Sequence, residues 1–364
     1  MLAAVRIDRT TLAIAFLAAT EACASPAAFD RVDLLQSTTS AVILPRYAAA
    51  TERAGTLRDR TTELCADPSA QSLADAQAAW REAVLAWRGT RPFALIGEHL
   101  IVGVLDGELT TTADVGAIDA HVGSSEALDA PDYVAALGGA SKGFFAIEYL
   151  LFAYPGFEAR DDARTLAALA DPRRCTYARV LAIDAAGVTA AAENDWRTTF
   201  APVFGSRAPS TTYPFLGAAV DDLVGTIATA IDRTRSESLA RPLGLEAHPG
   251  AVESPYGGAS VALMRATLDS VRDTWTAPHG LDALLRTRDG ALADEVLAEI
   301  DGARSALAAL ESPPLATPWE RYVLGADHDA GNAAYDAVAM LLTTLGTEVG
   351  ATLGISVTLL VDGD

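Results

Sequence analysis

The run GFFAIEYLLF, Gly143 to Phe152, constrains this chain more than any other stretch, because it is apolar on almost every side and holds one charge, Glu148. A helix with no polar face has to be enclosed by other elements, so a central helix packed on most sides is expected here. Glu148 is the anomaly within it. A carboxylate taken out of water is costly unless it meets a cation, a metal or several hydrogen-bond donors. Some distant part of the chain is therefore expected to come to Glu148.

The rest of the chain is read as helical, with about four substantial helices in each half and almost no strand signal. Residues Asp30 to Cys65 repeat apolar side chains at helical spacing, with Pro45 expected to kink or divide the helix. Ser72 is the expected cap of the next helix, whose Trp80, Val84 and Trp87 fall on one face as core anchors. Further helices are expected over Ile118 to Leu128, Asp161 to Ala170, Arg173 to Phe200, Tyr213 to Leu239, Ala259 to Trp275, Asp289 to Leu310 and Gly331 to Leu353. Pro202 to Pro214, rich in Pro, Gly, Ser and Thr, reads as a domain boundary. The fold class expected is all-α: a leader over 1–24 and two packed helical bundles, 25–205 and 206–364. A faint likeness between the halves suggests an internal duplication, and the β-branched Ile355 to Val361 suggests a short extended end.

The central run also carries a resemblance. It resembles the signature of the imelysin family, bacterial extracytoplasmic proteins classed as metallopeptidases, in which Gly-X-His-X-X-Glu precedes a bulky apolar run. Here Gly143 and Glu148 match, Tyr149, Leu150 and Leu151 follow, and Phe145 stands where the histidine belongs. Four other segments resemble the family in order: Ile43 to Asp59, Ala76 to Trp87, Arg241 to Ser260 and Thr347 to Asp364. Residues three apart share a helix face, so a His and a Glu at that spacing can hold one ion together. Phenylalanine cannot, and one carboxylate falls short of the roughly four ligands a tight zinc site takes. His99 and His248 are the candidates to replace the lost ligand from a distance, which leaves Glu148 a metal candidate for a divalent or iron cation. The resemblance further implies that the loop GAVESPYGGAS, Gly250 to Ser260, faces the signature helix at the junction of the bundles. Glu253, Ser254 and Ser260 would then share a cleft with Glu148, and Arg241 would supply its countercharge. The competing reading is local: Glu253 and Ser254 merely cap the helix beginning near Ala259.

Composition limits the partners. The net charge is -21, from 27 basic and 48 acidic residues, which argues against nucleic acid, whose binding draws on clustered basic side chains. Cations, neutral ligands and basic partners stay open. Lys142 is the single lysine, so amine chemistry has one carrier. Arg6 and Arg9 followed by the apolar Thr11 to Ala19 read as a secretory leader, with the mature protein in the periplasm, on the outer membrane or secreted. Two processing routes fit: cleavage after Ala24, or acylation of Cys23 as a lipoprotein, the one route to a membrane. An exported protein meets oxidising conditions, so Cys65 and Cys175 are a disulfide candidate; as buried free thiols they would also be ordinary.

Catalytic motifs are sparse. The sequence contains no HExxH, no Gly-X-Ser-X-Gly elbow, no Cys-X-X-Cys and no phosphate loop. Gly138 to Gly143 is glycine-rich but lacks the spacing of a phosphate loop, and reads as helix punctuation with Ser141 the expected cap. Three functional readings result. The first is a non-catalytic extracytoplasmic binding protein with a ligand or cation cleft between the bundles, linked to iron acquisition through the resemblance. The second is a metallopeptidase with a rearranged metal site, and the third a protein-interaction scaffold whose site has decayed.

Overall fold

A computed structural model describes residues 29–94, 100–246 and 252–357 of the chain. The leader with Cys23, together with His99, His248 and residues 358–364, lies outside the described residues. From Arg31 onward the chain clusters as one compact unit. Among the described residues it contains helices and loops and no strand.

The first set of helices is α1 (Arg31–Thr38), α2 (Leu44–Ala66), α3 (Ala70–Arg88), α4 (Leu100–Thr110), α5 (Val115–Gly123), α6 (Gly143–Phe152), α7 (Asp162–Leu169) and α8 (Pro172–Asp195). Antiparallel α2 and α3 pack together and α2 also packs along α8. The apolar α6 touches α3, α4, α5, α7 and α8, and each of its ten residues is buried. That enclosure is what an all-round apolar helix demands. The second set is α9 (Leu216–Arg233), α10 (Ser260–Trp275), α11 (Gly290–Ala308) and α12 (Asp329–Thr344), with α11 against α10 and α12, and α9 against α10 and α12. The sets meet where α3 packs on α10 and α1 on α9. Pro202–Pro214, the expected boundary, runs between α8 and α9.

Several local expectations change in detail. Pro45 falls in the first turn of α2, and a π-helical turn, Thr39–Ile43, runs into it directly from α1, so the helix is divided just ahead of the proline, whose missing N–H and ring disturb the regular α ladder. The cap of α3 is Ser69, with Ser72 three residues on completing a reciprocal capping box. Both serines belong to the cap, and the sequence pattern alone pointed to the second. Ser141 does not cap α6. Lys142 occupies that position without a side-chain cap and pairs with Glu108 at 3.3 Å, while the Ser141 carbonyl accepts the Tyr177 hydroxyl at 2.6 Å. Gly143 enters α6 at φ 79°, and a Cβ there would stand 2.5 Å from the Glu108 carbonyl oxygen. Only glycine meets both conditions.

Trp80 and Trp87 are core anchors: both are buried, and their indole N–H groups donate to the Phe144 carbonyl at 2.7 Å and to Asp106 at 2.9 Å. Cys65 and Cys175 form a disulfide that ties the end of α2 to the start of α8, with Cα atoms 5.5 Å apart. At the C-terminal side Ile355 is buried and its N–H donates to the Gly350 carbonyl.

A buried carboxylate and the loop that crosses it

Glu148 is fully buried, and the structure brings to it the loop between residues 252 and 259. Its Oε1 accepts three hydrogen bonds from that loop: the Ser254 hydroxyl at 2.7 Å, the Tyr256 N–H at 3.0 Å and the Gly257 N–H at 2.5 Å. Oε2 has no hydrogen-bond partner among the described residues. Burial pushes the Glu148 carboxyl up to about 7, against the lowering by its Gly257, Ser254 and Tyr256 donors, and the nearby Glu320 adds to the rise.

The loop is built for this approach. A Cβ on Gly257 would lie 2.6 Å from Trp80 Cζ3 and 3.1 Å from Glu148 Oε1, so a side chain there would push the loop off α6. Gly258 takes a left-handed backbone at φ 64°, and its N–H donates to the Ser254 carbonyl. The Ser254 hydroxyl, besides donating to Glu148, accepts the Ala259 N–H at 3.1 Å. Ser260 turns its hydroxyl oxygen to the Ser254 N–H at 3.1 Å. The local and long-range readings of Ser254 are thus both realised: one hydroxyl shapes the turn into α10 and grips the acid on α6. The Tyr256 ring packs edge-on against Tyr149, with centroids 5.4 Å apart.

Glu253 points elsewhere. It forms an ion pair with Arg88, whose side chain is buried. Burial would raise the Glu253 carboxyl, yet Arg88 and Arg91 more than offset it and hold the group below the ordinary carboxylate range. Arg241, expected to neutralise Glu148, stands half exposed at the surface with its Nε 3.8 Å from Glu246. The turn Arg241–Leu243 ends at a left-handed Gly244, and Glu246 follows two residues later. The cation whose field reaches Glu148 is Arg81, on α3, and its side chain donates to the Gly257 carbonyl.

Beside this assembly lies a cavity of about 560 Å3 whose lining draws on both helix sets, with Arg81, Arg160, Gly257, Val261, Trp319 and Glu320 among the residues that line it. Phe145 is buried in α6 and is not among the cavity-lining residues. Sequence reasoning missed Arg81, Arg88, Arg160 and Glu320. The one signal for Arg81 was an arginine directly after a tryptophan in an otherwise core-forming helix.

The described side chains around Glu148 do not form a metal-ligand set. Among the described residues no three His, Cys, Asp or Glu side chains group as a metal site. Glu148 spends one oxygen on three N–H or O–H donors, and a guanidinium stands close by. His99 and His248 lie outside the described residues, and His121 is engaged with Tyr133 at 2.8 Å.

With this geometry in view, the comparisons with known proteins are consistent with one another. A family model described as Imelysin, of the M75 peptidases, matches residues 43–345. An imelysin-like protein from Psychrobacter arcticum 273-4 superposes with a TM-score of 0.73 at 16% identity, covering 91% of this chain and 97% of its own. A proposed iron-regulated protein A precursor from Parabacteroides distasonis ATCC 8503 gives a TM-score of 0.73 at 20% identity, covering 89% of this chain and 95% of its own. At such identities the two structures speak to the fold. No curated protein matches the chain.

Proposed function

This chain belongs to the imelysin family, and from that premise we propose that it is an extracytoplasmic, non-catalytic binding protein whose cleft between the helix sets takes a small ligand. The observation that carries the reading is the fate of Glu148. Its oxygen is committed to Ser254, Tyr256 and Gly257, so the acid acts as a pin that fastens the 252–259 loop to α6 and shapes one wall of the cleft. Phe145 removes the ligand that would have made it half of a chelate. A hydrolytic metal needs a held ion with an open position and a base, and the side chains around Glu148 favour neither. The name of the Parabacteroides neighbour supports a link to iron-regulated physiology. The secretory pattern of the first 24 residues supports export, and no helix among the described residues is long and apolar enough to cross a membrane.

Metal analysis and calorimetric titration with iron, zinc, copper and calcium, on the purified protein and on Glu148→Gln, test this reading. The expected result is no stoichiometric metal lost on substitution. A tightly held ion that disappears in Glu148→Gln, together with peptide hydrolysis that it restores, would replace the binding protein with a metallopeptidase.

A further inference from the structure

The cleft carries one cation and one carboxylate, Arg81 and Glu320, that make no ion pair among the described residues, beside a second cation, Arg160, that already has a partner. Arg81 is half buried, donates to the Gly257 carbonyl and makes no ion pair among the described residues. Arg160 is ion-paired with Asp162 at 3.1 Å, donates to the Gln77 side-chain oxygen Oε1 at 3.0 Å, lies over the Phe152 ring at 5.1 Å, and is near enough to Arg81 for the two cations to repel. Glu320, on the same lining, takes a long bond from the Ser260 N–H at 3.4 Å and contacts no cation among the described residues. Arg81 and Glu320 feel each other's field without forming an ion pair, and both line the cavity.

Opposite charges that line one cavity without pairing with each other are positioned in advance for a guest that bears both signs. A plain anion would satisfy the arginines but would meet Glu320 and the overall charge of -21. A plain cation would satisfy Glu320 and be repelled by two guanidinium groups. Glu311, the other carboxylate on the lining, is already paired with Arg265. Apolar surface from Val261, Ala262, Leu310 and Pro318 completes the lining and would accept a hydrocarbon side chain.

We propose that this cleft binds a small zwitterion of the amino-acid or short-peptide type, its carboxylate on Arg81 and Arg160 and its ammonium on Glu320. The proposal rests on the reading of the cleft as a ligand site and names the chemistry of that ligand. Guanidinium and carboxylate pair in a planar, two-bonded fashion, which makes arginine the suited partner for the carboxylate end.

The test is calorimetric titration of the full chain with free amino acids and with di- and tripeptides, each beside its N-acetylated and its C-amidated form. Binding by the free zwitterions is expected, weakened by about tenfold or more when either end is blocked. Glu320→Gln should weaken the free ligand but not the acetylated one, and Arg160→Gln the free ligand but not the amidated one. Arg160 is preferred over Arg81 for this variant because Arg81 also holds the loop, and thermal melts identical to that of the parent protein control for folding. Equal binding of blocked and free ligands, indifference to both substitutions, or no binding by any member of the panel would overturn the zwitterion. Binding of an uncharged compound or a metal ion that depends on cleft residues would sink the zwitterion and leave the ligand-site reading standing; an amino acid preferred over peptides would identify the source.

Discussion

Two carboxylates meet the same short loop, Glu148 fully buried and Glu253 partly exposed, and they are stabilised in opposite ways. Glu148 reaches the loop from α6 and is met by an uncharged hydroxyl and two backbone N–H groups. Glu253, within the loop, is met by a buried guanidinium. Neutral donors on one oxygen do not recover what burial removes, so Glu148 is held up to about 7. A full positive charge does recover it, and Glu253 stays below its ordinary value. The loop is thus fastened along Ser254 to Gly257 by an acid that readily keeps its proton and at Glu253 by an ion pair, and the two fastenings should respond to substitution and pH differently.

The largest effect should come from breaking the charged fastening. Arg88→Met removes the buried cation from this pair and leaves Glu253 with the more distant Arg91, a change expected to cost about 3–5 kcal/mol. Urea denaturation at pH 7 measures it. A loss under 1 kcal/mol would mean that the ion pair is solvated and that the two fastenings are alike.

The pH dependence of the two acids should differ in sign. Glu148 is raised from 4.5 to about 7 on folding, so the folded state prefers the protonated acid. Its contribution is fully present below pH 4.5 and is lost as pH rises towards 7, a fall of roughly 3 kcal/mol for a carboxyl moved that far. Glu148→Gln cannot ionise, so the stability of the parent relative to this variant should drop across pH 4.5–7 and then level. Glu253 is lowered on folding. Its contribution is present above pH 4.5 and is lost in more acidic solution, so the parent should lose stability relative to Glu253→Gln only on acidification. Denaturation of the three proteins from pH 3 to 8 separates the curves, and parallel curves would dissolve the contrast.

Gly257→Ala probes the neutral fastening alone. The added methyl meets Trp80, which is buried, and the Glu148 oxygen. Overpacking of that kind costs about 1–3 kcal/mol, and a displaced loop should also move the titration of Glu148, which its burial under the loop raises and the loop's donors lower. Thermal melting reads the first effect and carbon-detected titration of Glu148 the second. An unshifted melt would show that the loop rides free of α6.

Much of this contrast was visible before any coordinates. Glu148 announced itself because a lone charge in an apolar run has to be met from afar, and the Ser254 segment was picked out by its resemblance to a junction loop. The helical architecture followed from apolar spacing, since a face of period 3.6 leaves few alternatives. What stayed hidden was pairing between distant residues. Arg88, at the last turn of a helix ending in Trp-Arg, reads as a solvent-facing terminus that favours the helix dipole, yet its side chain is buried on Glu253. Gly257 N–H and Tyr256 N–H are backbone donors, and backbone donors carry no sequence signature at all. Ser141 and Ser72 were misplaced as caps because a cap depends on a local turn geometry that several nearby serines could satisfy. Arg160 and Glu320 could not be joined to Glu148 from sequence, because what relates them is a cavity between helices distant in the chain.

Arg241 sharpens the comparison from the weak side. By proximity to the loop in sequence it was the natural countercharge for Glu148, and in space it holds Glu246 at 3.8 Å with half its side chain in water. Exposed pairs of this kind contribute about 0–1 kcal/mol, since solvent screens the attraction and two flexible side chains must be ordered to gain it. Arg241→Ala should therefore leave stability within about 0.5 kcal/mol of the parent and leave the pH profile attributed to Glu148 unmoved. Chemical denaturation across the same pH range checks both. A loss comparable to that of Arg88→Met, or a Glu148 transition displaced upwards, would show that a guanidinium does reach the buried acid, and the distinction between a hydrogen-bonded and a charge-paired fastening would fall with it.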